Sequence, residues 1–247
     1  MPAVPQKEGG PQRIAKLLAR AGVASRREVE RMIAEGRIGL NGEKITTPAT
    51  LLEDLAGVTL DGKTVGPATA TRLFRFYKPQ GTITAANDPK GRMTIYDRLP
   101  GGLPRLMPVG RLDFMTEGLL LLTNDGGLKR QLELPRTGVV RTYRARAYGH
   151  VTQEQLERLA EGITIDGIRY GSINANLERR TGSNCWIEMS LTEGKNREVR
   201  RVLAHFGLQV SRLIRTAYGP FALERLGPGE VEEIERADLD AFCKSLG

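Results

Sequence analysis

The stretch that decides the fold is Met107-Pro-Val-Gly-Arg-Leu-Asp-Phe-Met-Thr-Glu-Gly-Leu-Leu-Leu-Leu-Thr-Asn-Asp-Gly126. Its apolar run from Leu119 to Leu122 is short and ends at the turn residues Asn124-Asp125-Gly126, so it predicts a buried strand rather than a helix. The carboxylate of Asp113 comes just before this run. A carboxylate beside apolar surface is costly unless a cation pairs with it or a substrate needs it. Asp113 is therefore the first candidate functional residue.

Strands dominate the larger part of the chain, residues 72–240, around this stretch. Residues 73–77 are strand-like, and Ile163–Tyr170 predicts a hairpin that turns at Asp166-Gly167. Residues 152–155 form a capping box that opens a short helix. The fold class we expect is α+β with a mainly antiparallel sheet. Glycine-rich nucleotide-binding loops of the Gly-x-Gly-x-x-Gly or Walker type are missing from the sequence, so we expect no nucleotide cofactor.

Residues 12–66 predict a separate small module of helices and hairpins. Apolar residues recur at helical spacing from Ile14, and Ser25-Arg-Arg-Glu28 predicts the capped start of a second helix. Asn41-Gly42 between short apolar runs is a strong signal for a hairpin turn. Residues 67–71 are small and polar and predict a linker. The polar, Pro/Gly-rich residues 1–11 predict a disordered tail.

The composition of the chain points to a polyanionic partner. Its 247 residues include 37 Lys and Arg against 29 Asp and Glu, for a formal net charge of +8. Arginine provides much of this charge, and its guanidinium binds phosphate in a fork and stacks on bases. On the small module, the candidate RNA-binding side chains are Lys16, Arg20, Arg26, Arg27 and Arg31. The alternative is a merely solvated helix face, which is the usual fate of such charge runs.

Membrane and metal functions are not expected from the sequence. Apolar runs stay far below the roughly 20 residues that a membrane-spanning helix needs. The two cysteines, Cys185 and Cys243, are far apart and belong to no metal-ligand pattern, so we expect no metal and a cytoplasmic protein. Cys185 alternates with other apolar residues along a strand, which favours a place in the core over a role as nucleophile.

Two further segments carry residues suited to chemistry. In Val140–Gly149 the alternation places Tyr143 beside small alanines on one face of a strand, which leaves room for a flat partner at the ring. In Leu191–Gly207 a strand turns at Glu193-Gly194 and enters a helix. Lys195 and Arg197 fall near the start of this helix, where an anion binds well, and Arg200 follows beside its apolar stripe.

These segments resemble the three motifs of the pseudouridine synthases, in the branch typified by the small-ribosomal-subunit synthase A. Gly110–Leu119 matches the first motif, Gly-Arg-Leu-Asp-x-x-Thr-x-Gly-Leu, and Glu193–Arg201 matches the third, Glu-Gly-x-Asn-Arg-x-Val-Arg-Arg. Arg141–Ala145 keeps the tyrosine of the second motif but differs on both flanks. The segment Leu17–Gly42 resembles the S4 RNA-binding domain. Together the likeness covers almost all of residues 12–235.

The resemblance implies that Asp113 is an ionised nucleophile, that Tyr143 stacks on a flipped uracil, and that Arg200 pairs with Asp113. Arg111 would fill the gap left by the extruded uridine or hold its phosphate, and Lys195 and Arg197 would bind RNA. The reaction would isomerise uridine to pseudouridine in ribosomal RNA with no cofactor. The S4-like module would read the shape and phosphates of structured RNA. Whether Asp113 attacks the base or the sugar stays open.

The target and the rival functions are also expectations at this point. Residues 87–92, 97–100 and 192–201 resemble branch members that act on the large ribosomal subunit, which implies 23S rRNA, with 16S rRNA as the alternative. We expect a monomer. One rival is a non-catalytic RNA-binding assembly factor, which would not need Asp113 and Arg200 together. Another is a hydrolase that uses Asp113 and Glu117 as a carboxylate pair about 5 to 9.5 Å apart.

Overall fold

A computed structural model describes residues 10–246 and divides into two compact units. The first unit comprises the chain up to Thr71 together with Asn124–Gly126, and the second comprises Arg72–Thr123 and Gly127–Gly247. The disordered tail predicted for residues 1–11 lies mostly outside the described residues.

The first unit packs two short helices on small antiparallel sheets. Its described elements are β1 (Gln12–Arg13), α1 (Ile14–Arg20), α2 (Arg26–Ala34), β2 (Ile38–Leu40), β3 (Glu43–Lys44), β4 (Leu51–Leu52), β5 (Val58–Leu60) and β6 (Lys63–Thr64). The strand order in the larger sheet is β3-β2-β5-β6. Helix α2 begins where the sequence predicts, because the Ser25 hydroxyl accepts a hydrogen bond from the Glu28 amide at 3.1 Å.

The predicted hairpin turn of this unit is confirmed. Asn41 and Gly42 both have positive φ, 53° and 89°, and they join β2 to β3. Two-residue hairpin turns of this kind need positive φ at both central positions, which asparagine and glycine accept at low cost. The buried core of the unit is aliphatic and is built from both helices and from β2 and β5.

The second unit is a large sheet with helices on its faces. Its elements are β7 (Leu73–Lys78), β8 (Met107–Pro108), β9 (Glu117–Thr123), α3 (Gly126–Glu133), β10 (Arg141–Tyr148), α4 (Gln153–Glu157), β11 (Ile163–Ile165), β12 (Ile168–Tyr170), β13 (Ile173–Thr181), β14 (Asn184–Leu191), α5 (Glu198–His205), β15 (Gln209–Tyr218), β16 (Phe221–Ala222), β17 (Val231–Glu233) and α6 (Arg236–Ser245). The central strand order is β13-β14-β10-β15-β9-β7-β17, with β16 beside β15 and β8 beside β9.

The sheet is antiparallel except where β9 meets β15, so the predicted α+β class with a mainly antiparallel sheet is confirmed. The prediction for the apolar run is also confirmed, because Leu119, Leu120, Leu121 and Leu122 are all fully buried in β9. Cys185 is buried in the core, as its alternation predicts.

The parallel contact between β9 and β15 depends on a glycine. Gly118 lies opposite Arg215 with φ at 102°, and a Cβ atom there would stand 2.3 Å from the Arg215 carbonyl oxygen. Real Cβ atoms do not approach backbone that closely, and the positive φ is itself unfavourable for other residues. The glycine of the quoted stretch is therefore the position at which the two strands come together, five residues after Asp113.

Candidate active site

Asp113 lies in the loop between β8 and β9, and the main chain of this loop is held at several points. The Thr116 amide donates to the Asp113 carbonyl at 3.0 Å, which closes a turn, and the Gly81 amide donates to the Phe114 carbonyl at 2.9 Å. The Lys78 ammonium, at the end of β7, donates to the carbonyls of Asp113 at 3.1 Å and Thr116 at 2.8 Å. The backbone that carries the carboxylate is thus fixed before any substrate binds.

Lys78 is a fully buried cation that the sequence analysis did not single out. Its third hydrogen bond goes to the Pro79 carbonyl at 3.1 Å. Burial lowers the pKa of the Lys78 ammonium to about 8, while the charges of Asp113 and Glu117 raise it and that of Arg215 lowers it. The positive charge is therefore retained near neutral pH by the carbonyls and carboxylates around it.

A cleft of about 960 Å³ opens in front of Asp113. It is large enough for a nucleoside, and several residues proposed from the sequence line it: Arg111, Asp113, Tyr143, Lys195 and Arg197. Three segments that are distant in sequence meet here, namely the loop before β9, strand β10 and the turn before α5. The fold brings these motif residues to a single cleft of the second unit.

The ion pair of Asp113 is not the one that the sequence predicts. Asp113 pairs with Arg197, whose Nη1 lies 3.5 Å from its Oδ2, and both side chains are partly exposed. Arg200 instead donates to the carbonyls of Val210 and Met115, each at 3.0 Å. The expected direct pair between Arg200 and Asp113 is therefore corrected. Helix phase predicts which face of α5 carries Arg200, but not where its long side chain ends.

Arg200 still acts on the Asp113 loop. Burial and the neighbouring charge of Arg197 lower the pKa of the Arg200 guanidinium, and the charge of Asp113 raises it, so the two groups interact through space. Its hydrogen bond to the Met115 carbonyl also joins α5 to the loop, two residues from the carboxylate. Arg200 is placed to fix the loop and to add positive charge near Asp113.

Tyr143 lies on β10 opposite Arg215 of β15. The Arg215 Nη1 is 3.5 Å from the Tyr143 hydroxyl, and its guanidinium carbon lies 6.0 Å from the centre of the Tyr143 ring and 5.2 Å from that of Tyr218. Arg141 is also buried; it donates to the Tyr218 hydroxyl at 3.0 Å and stacks on that ring. These arginines were not identified as buried from the sequence, where the only signal was a charged residue at an inward position of a strand.

The turn before α5 uses its charged residues mainly on itself. The Lys195 ammonium pairs with the Glu193 carboxylate at 2.5 Å and donates to the Arg169 carbonyl at 2.7 Å. Glu198 is buried, and its Oε2 accepts a hydrogen bond from the Lys195 amide at 2.8 Å. Burial raises the pKa of the Glu198 carboxyl. Lys195 lines the cleft, but its charge is already engaged by an acid.

Glu117 does not form a carboxylate pair with Asp113 across the cleft. Its carboxylate accepts from the Tyr77 hydroxyl at 2.8 Å and from the Arg212 Nε at 2.7 Å, and it is not among the described residues that line the cleft. The Arg212 hydrogen bond is the largest cause that lowers the pKa of Glu117, which keeps it ionised and unable to donate a proton. The hydrolase alternative therefore lacks its general acid.

The basic residues of the first unit are mostly at its surface. Arg26 and Arg27, in the first turn of α2, are exposed. Arg31, one turn further on, pairs with Glu28 at 2.5 Å and Glu35 at 3.7 Å, and Arg20 pairs with Asp125 at 3.3 Å. Arg26 and Arg27 are thus the clearest candidates for contacts to phosphate among the five proposed.

Comparison with known proteins accounts for both units. Residues 72–205 match the model of the RNA pseudouridylate synthase family, and residues 12–54 match that of the S4 domain. The chain belongs to the RNA pseudouridylate synthase family. An uncharacterized RNA pseudouridine synthase of Rickettsia bellii is 44% identical over 225 residues, which cover 91% of this chain and 97% of the relative. The resemblance proposed from the sequence motifs is confirmed.

Other relatives add detail. The ribosomal large subunit pseudouridine synthase B of Pasteurella multocida is 39% identical over 244 residues, which cover 96% of this chain and 70% of that protein. A solved pseudouridylate synthase structure superposes with a TM-score of 0.63 at 26% identity, covering 92% of this chain and 98% of the other. Within residues 10–246, no helix is both long and apolar enough to cross a membrane.

Proposed function

We propose that this pseudouridine synthase isomerises a uridine of 23S rRNA to pseudouridine, with Asp113 as the nucleophile and Tyr143 as the stacking partner of the flipped base. The observation that carries this proposal is the position of Asp113: a carboxylate on a fixed turn, at the mouth of a nucleoside-sized cleft that Tyr143 and Arg197 also line. We propose that the protein acts as a monomer in the cytoplasm, where ribosomal RNA is found.

The chemistry follows from the residues of the cleft. A uridine inside an RNA helix is out of reach, so it must be extruded, and an aromatic ring can replace the stacking that the base loses. Asp113 faces the positive charges of Arg197 and Arg200, which suits a nucleophile that reacts as the anion. Arg111 also lines the cleft and is exposed, so it is placed to hold a phosphate or to fill the gap in the helix.

The choice of 23S rRNA rests on the relatives that are named as large-subunit synthases. The test is to map pseudouridine by carbodiimide primer extension in the 23S and 16S rRNA of a deletion strain and of its complemented derivative. We expect one 23S position to lose its signal on deletion and regain it on complementation. A restored signal in 16S rRNA would move the target to the small subunit, and no lost signal in either would overturn the proposal.

The role of Asp113 is tested in the same strain. Complementation with Asp113→Asn should restore no pseudouridine, because an amide cannot act as the nucleophile, while the folded protein and its RNA affinity stay nearly unchanged. Asp166→Asn is the matched control, since it makes the same substitution in the β11–β12 turn. Turnover by Asp113→Asn within tenfold of the wild type would contradict the nucleophile role.

A further inference from the structure

Arg215 is a buried cation in the wall of the cleft, and part of its guanidinium has no hydrogen-bond partner among the described residues. The residue is 2% exposed. Its Nε donates to the Leu119 carbonyl at 2.7 Å and its Nη1 lies 3.5 Å from the Tyr143 hydroxyl, whereas its Nη2 is buried without a partner. An unsatisfied donor on a buried charge is expensive, so its retention calls for a physical reason.

The positive charge of Arg215 is also not neutralised by a carboxylate in contact with it. Within residues 10–246 the hydrogen-bond partners of its guanidinium are a carbonyl and a hydroxyl, and its ring contacts are with Tyr143 and Tyr218. The charge even acts on Lys78, whose pKa it lowers. A buried charge without an ionic partner is strongly destabilising, because the interior does not solvate it as water does. An anionic group that enters the cleft would relieve this cost.

Arg215 differs from the two other buried cations beside the cleft, Lys78 and Arg141, because one of its donors is unused. The Lys78 ammonium has three carbonyl acceptors for its three protons. Arg141 donates to the carbonyls of Val139, Thr192 and Leu132 and to the Tyr218 hydroxyl. Arg200, which is only partly buried, donates to two carbonyls, and its Nε is also buried without a partner. Lys78 and Arg141 use their donors to hold main-chain carbonyls in place. Arg215 has an unpaired charge and an unused donor beside the ring on which the base stacks.

We propose that Arg215 is a positioning residue of the isomerisation: it fixes the ring of Tyr143 from behind and stabilises the negative charge that the stacked uracil acquires during the reaction. This inference deepens the proposed function and rests on it. Arg215 needs no direct contact with the substrate for this role, because a charge in a dry, low-dielectric site acts over several ångströms.

The reaction makes the uracil anionic whichever way Asp113 attacks. If the carboxylate attacks C1′ of the ribose, the C1′–N1 bond breaks and its electron pair leaves on the uracil, where N1, O2 and O4 share the charge. If it adds to C6, the displaced pair moves to the enolate oxygen O4. In the first route C5 then bonds to C1′ as the carboxylate leaves C1′. In the second route the C1′–N1 bond then breaks, C5 bonds to C1′, and the carboxylate leaves C6. In both routes the C5 proton leaves, N1 gains a proton and the Asp113 carboxylate is regenerated. The positive charge of Arg215 matches the anion that exists only between the first and last of these steps.

The experiment compares two RNA substrates with the same set of full-length variants. A transcript that spans the mapped rRNA site is made with uridine or with 5-fluorouridine, and the first turnover is followed by chromatography of the digested nucleosides. Fluorine withdraws electrons, so a 5-fluorouracil anion needs less help from the protein. The fluorine also replaces the C5 proton, so the reaction of 5-fluorouridine stops before the last step and is followed as loss of the nucleoside. We expect Arg215→Met to slow the loss of uridine about 100-fold or more. For 5-fluorouridine the factor by which Arg215→Met slows the loss should be smaller by at least about tenfold. For both substrates the rate of Arg215→Lys should lie between those of Arg215→Met and the wild type.

The ratio of the two rates is the decisive quantity, because it does not depend on how much of a variant is folded or on how well it binds RNA. Arg212→Gln is the matched control: Arg212 belongs to the same strand, but it pairs with Glu117 outside the lining of the cleft. It should leave the ratio at its wild-type value. Equal slowing of both substrates by Arg215→Met would overturn the inference and leave Arg215 a structural residue. A wild-type enzyme that modifies neither 23S nor 16S transcripts would instead overturn the proposed function.

Discussion

The two units of this protein use their cations in opposite ways. In the first unit the arginines of α2 are at the surface, where they face solvent or pair with acids on the helix or just after its end. In the second unit Lys78, Arg141 and Arg215 are buried, and their hydrogen bonds go to main-chain carbonyls and tyrosine hydroxyls. Surface cations attract phosphate from any sequence, with an affinity that depends on salt, whereas buried cations cost stability and fix geometry.

This difference predicts which property each group of residues controls. Substitutions among the buried cations and their supports should change the rate of the reaction on bound RNA. Substitutions among the exposed cations of α2 should change affinity and its salt dependence. A buried-cation variant that changed only RNA affinity, or an α2 variant that changed only the rate on bound RNA, would contradict this distinction.

After Asp113→Asn, the largest loss of turnover is expected from a substitution at the position where β9 pairs with β15. Gly118→Ala would place a methyl group 2.3 Å from the Arg215 carbonyl oxygen and would force a positive φ on alanine. The strands must move apart, which displaces Asp113 on one side and Arg215 on the other. We expect turnover to fall by roughly three orders of magnitude, since an error of 1 Å in position alone can cost about 100-fold.

The control for this variant is Gly167→Ala, which also lies at positive φ but whose added methyl group would meet no described atom within 4 Å. It should lower the melting temperature without a comparable loss of turnover per folded molecule, as measured by thermal denaturation and single-turnover kinetics. Similar kinetic losses in the two variants would show that the close approach at Gly118 is not what positions Asp113.

The next effect separates the two arginines around Asp113. Arg200→Met removes a charge near Asp113 and the hydrogen bond to the Met115 carbonyl, so the loop loses a support. Arg197→Met removes an ion pair between partly exposed groups, and such pairs contribute little. We expect single-turnover rates to fall about 100-fold for Arg200→Met and less than about tenfold for Arg197→Met. The reverse order would make Arg197 the functional partner of Asp113.

These two arginines also show which features of the structure can be predicted from the sequence and which cannot. The buried strand Leu119–Leu122, the turns at Asn41-Gly42 and Asp166-Gly167 and the cap at Ser25 were predictable because each depends on neighbours within a few residues. The partner of Asp113 was not, because a flexible arginine side chain can end several ångströms from where its helix face points. Local pattern predicts the element, whereas the long-range approach of elements decides the contact.

The buried cations were missed for a related reason. Lys78 precedes a proline at the end of a predicted strand, and Arg215 sits in an ordinary alternating strand. Nothing within either segment reveals that carbonyls of the Asp113 loop or two tyrosine rings will surround the charge. The Asp113 carbonyl and the Tyr143 ring come from residues 35 or more positions away, through strand pairings that a single sequence does not specify.

A smaller effect, visible through pH, is expected at Lys78. The pKa of the Lys78 ammonium is about 8 in the folded protein, against an ordinary value of 10.5. As pH rises, the folded protein therefore loses this proton before the unfolded chain does. A neutral amine has two protons for three carbonyls, so the Asp113 loop loosens and the rate should fall several-fold above about pH 8. Between pH 8 and 10.5 unfolding takes up a proton, so this group makes the free energy of unfolding increase with pH in that window.

Opposite trends in rate and stability distinguish this titration from general alkaline denaturation. Single-turnover rates and urea unfolding, both measured from about pH 7 to 10, are the test. In Lys78→Met both features should disappear and the rate should be low throughout. A wild-type rate that follows stability downward above about pH 8, or a Lys78→Met profile with the same inflection, would assign the pH dependence to another group.

The smallest effect on chemistry, and the largest on affinity, is expected for the exposed arginines of α2. In Arg26→Gln/Arg27→Gln the full-length protein loses two cations that are free to release counterions from RNA. The slope of log affinity against log salt should therefore decrease in magnitude by about 1.4 to 1.8, since each phosphate contact contributes roughly 0.7 on single strands and 0.9 on duplex. The rate on saturating RNA should stay within about twofold, because the reacting groups lie in the second unit.

Arg31→Gln is the matched control: its guanidinium is already neutralised by Glu28 and Glu35, so its removal should change the slope by less than half as much as each of the other two. Filter binding of rRNA between about 50 and 200 mM salt covers the range in which such slopes are measurable. An unchanged slope in the double variant, or an equal effect of Arg31→Gln, would mean that α2 is a solvated face and that RNA is held by other cations.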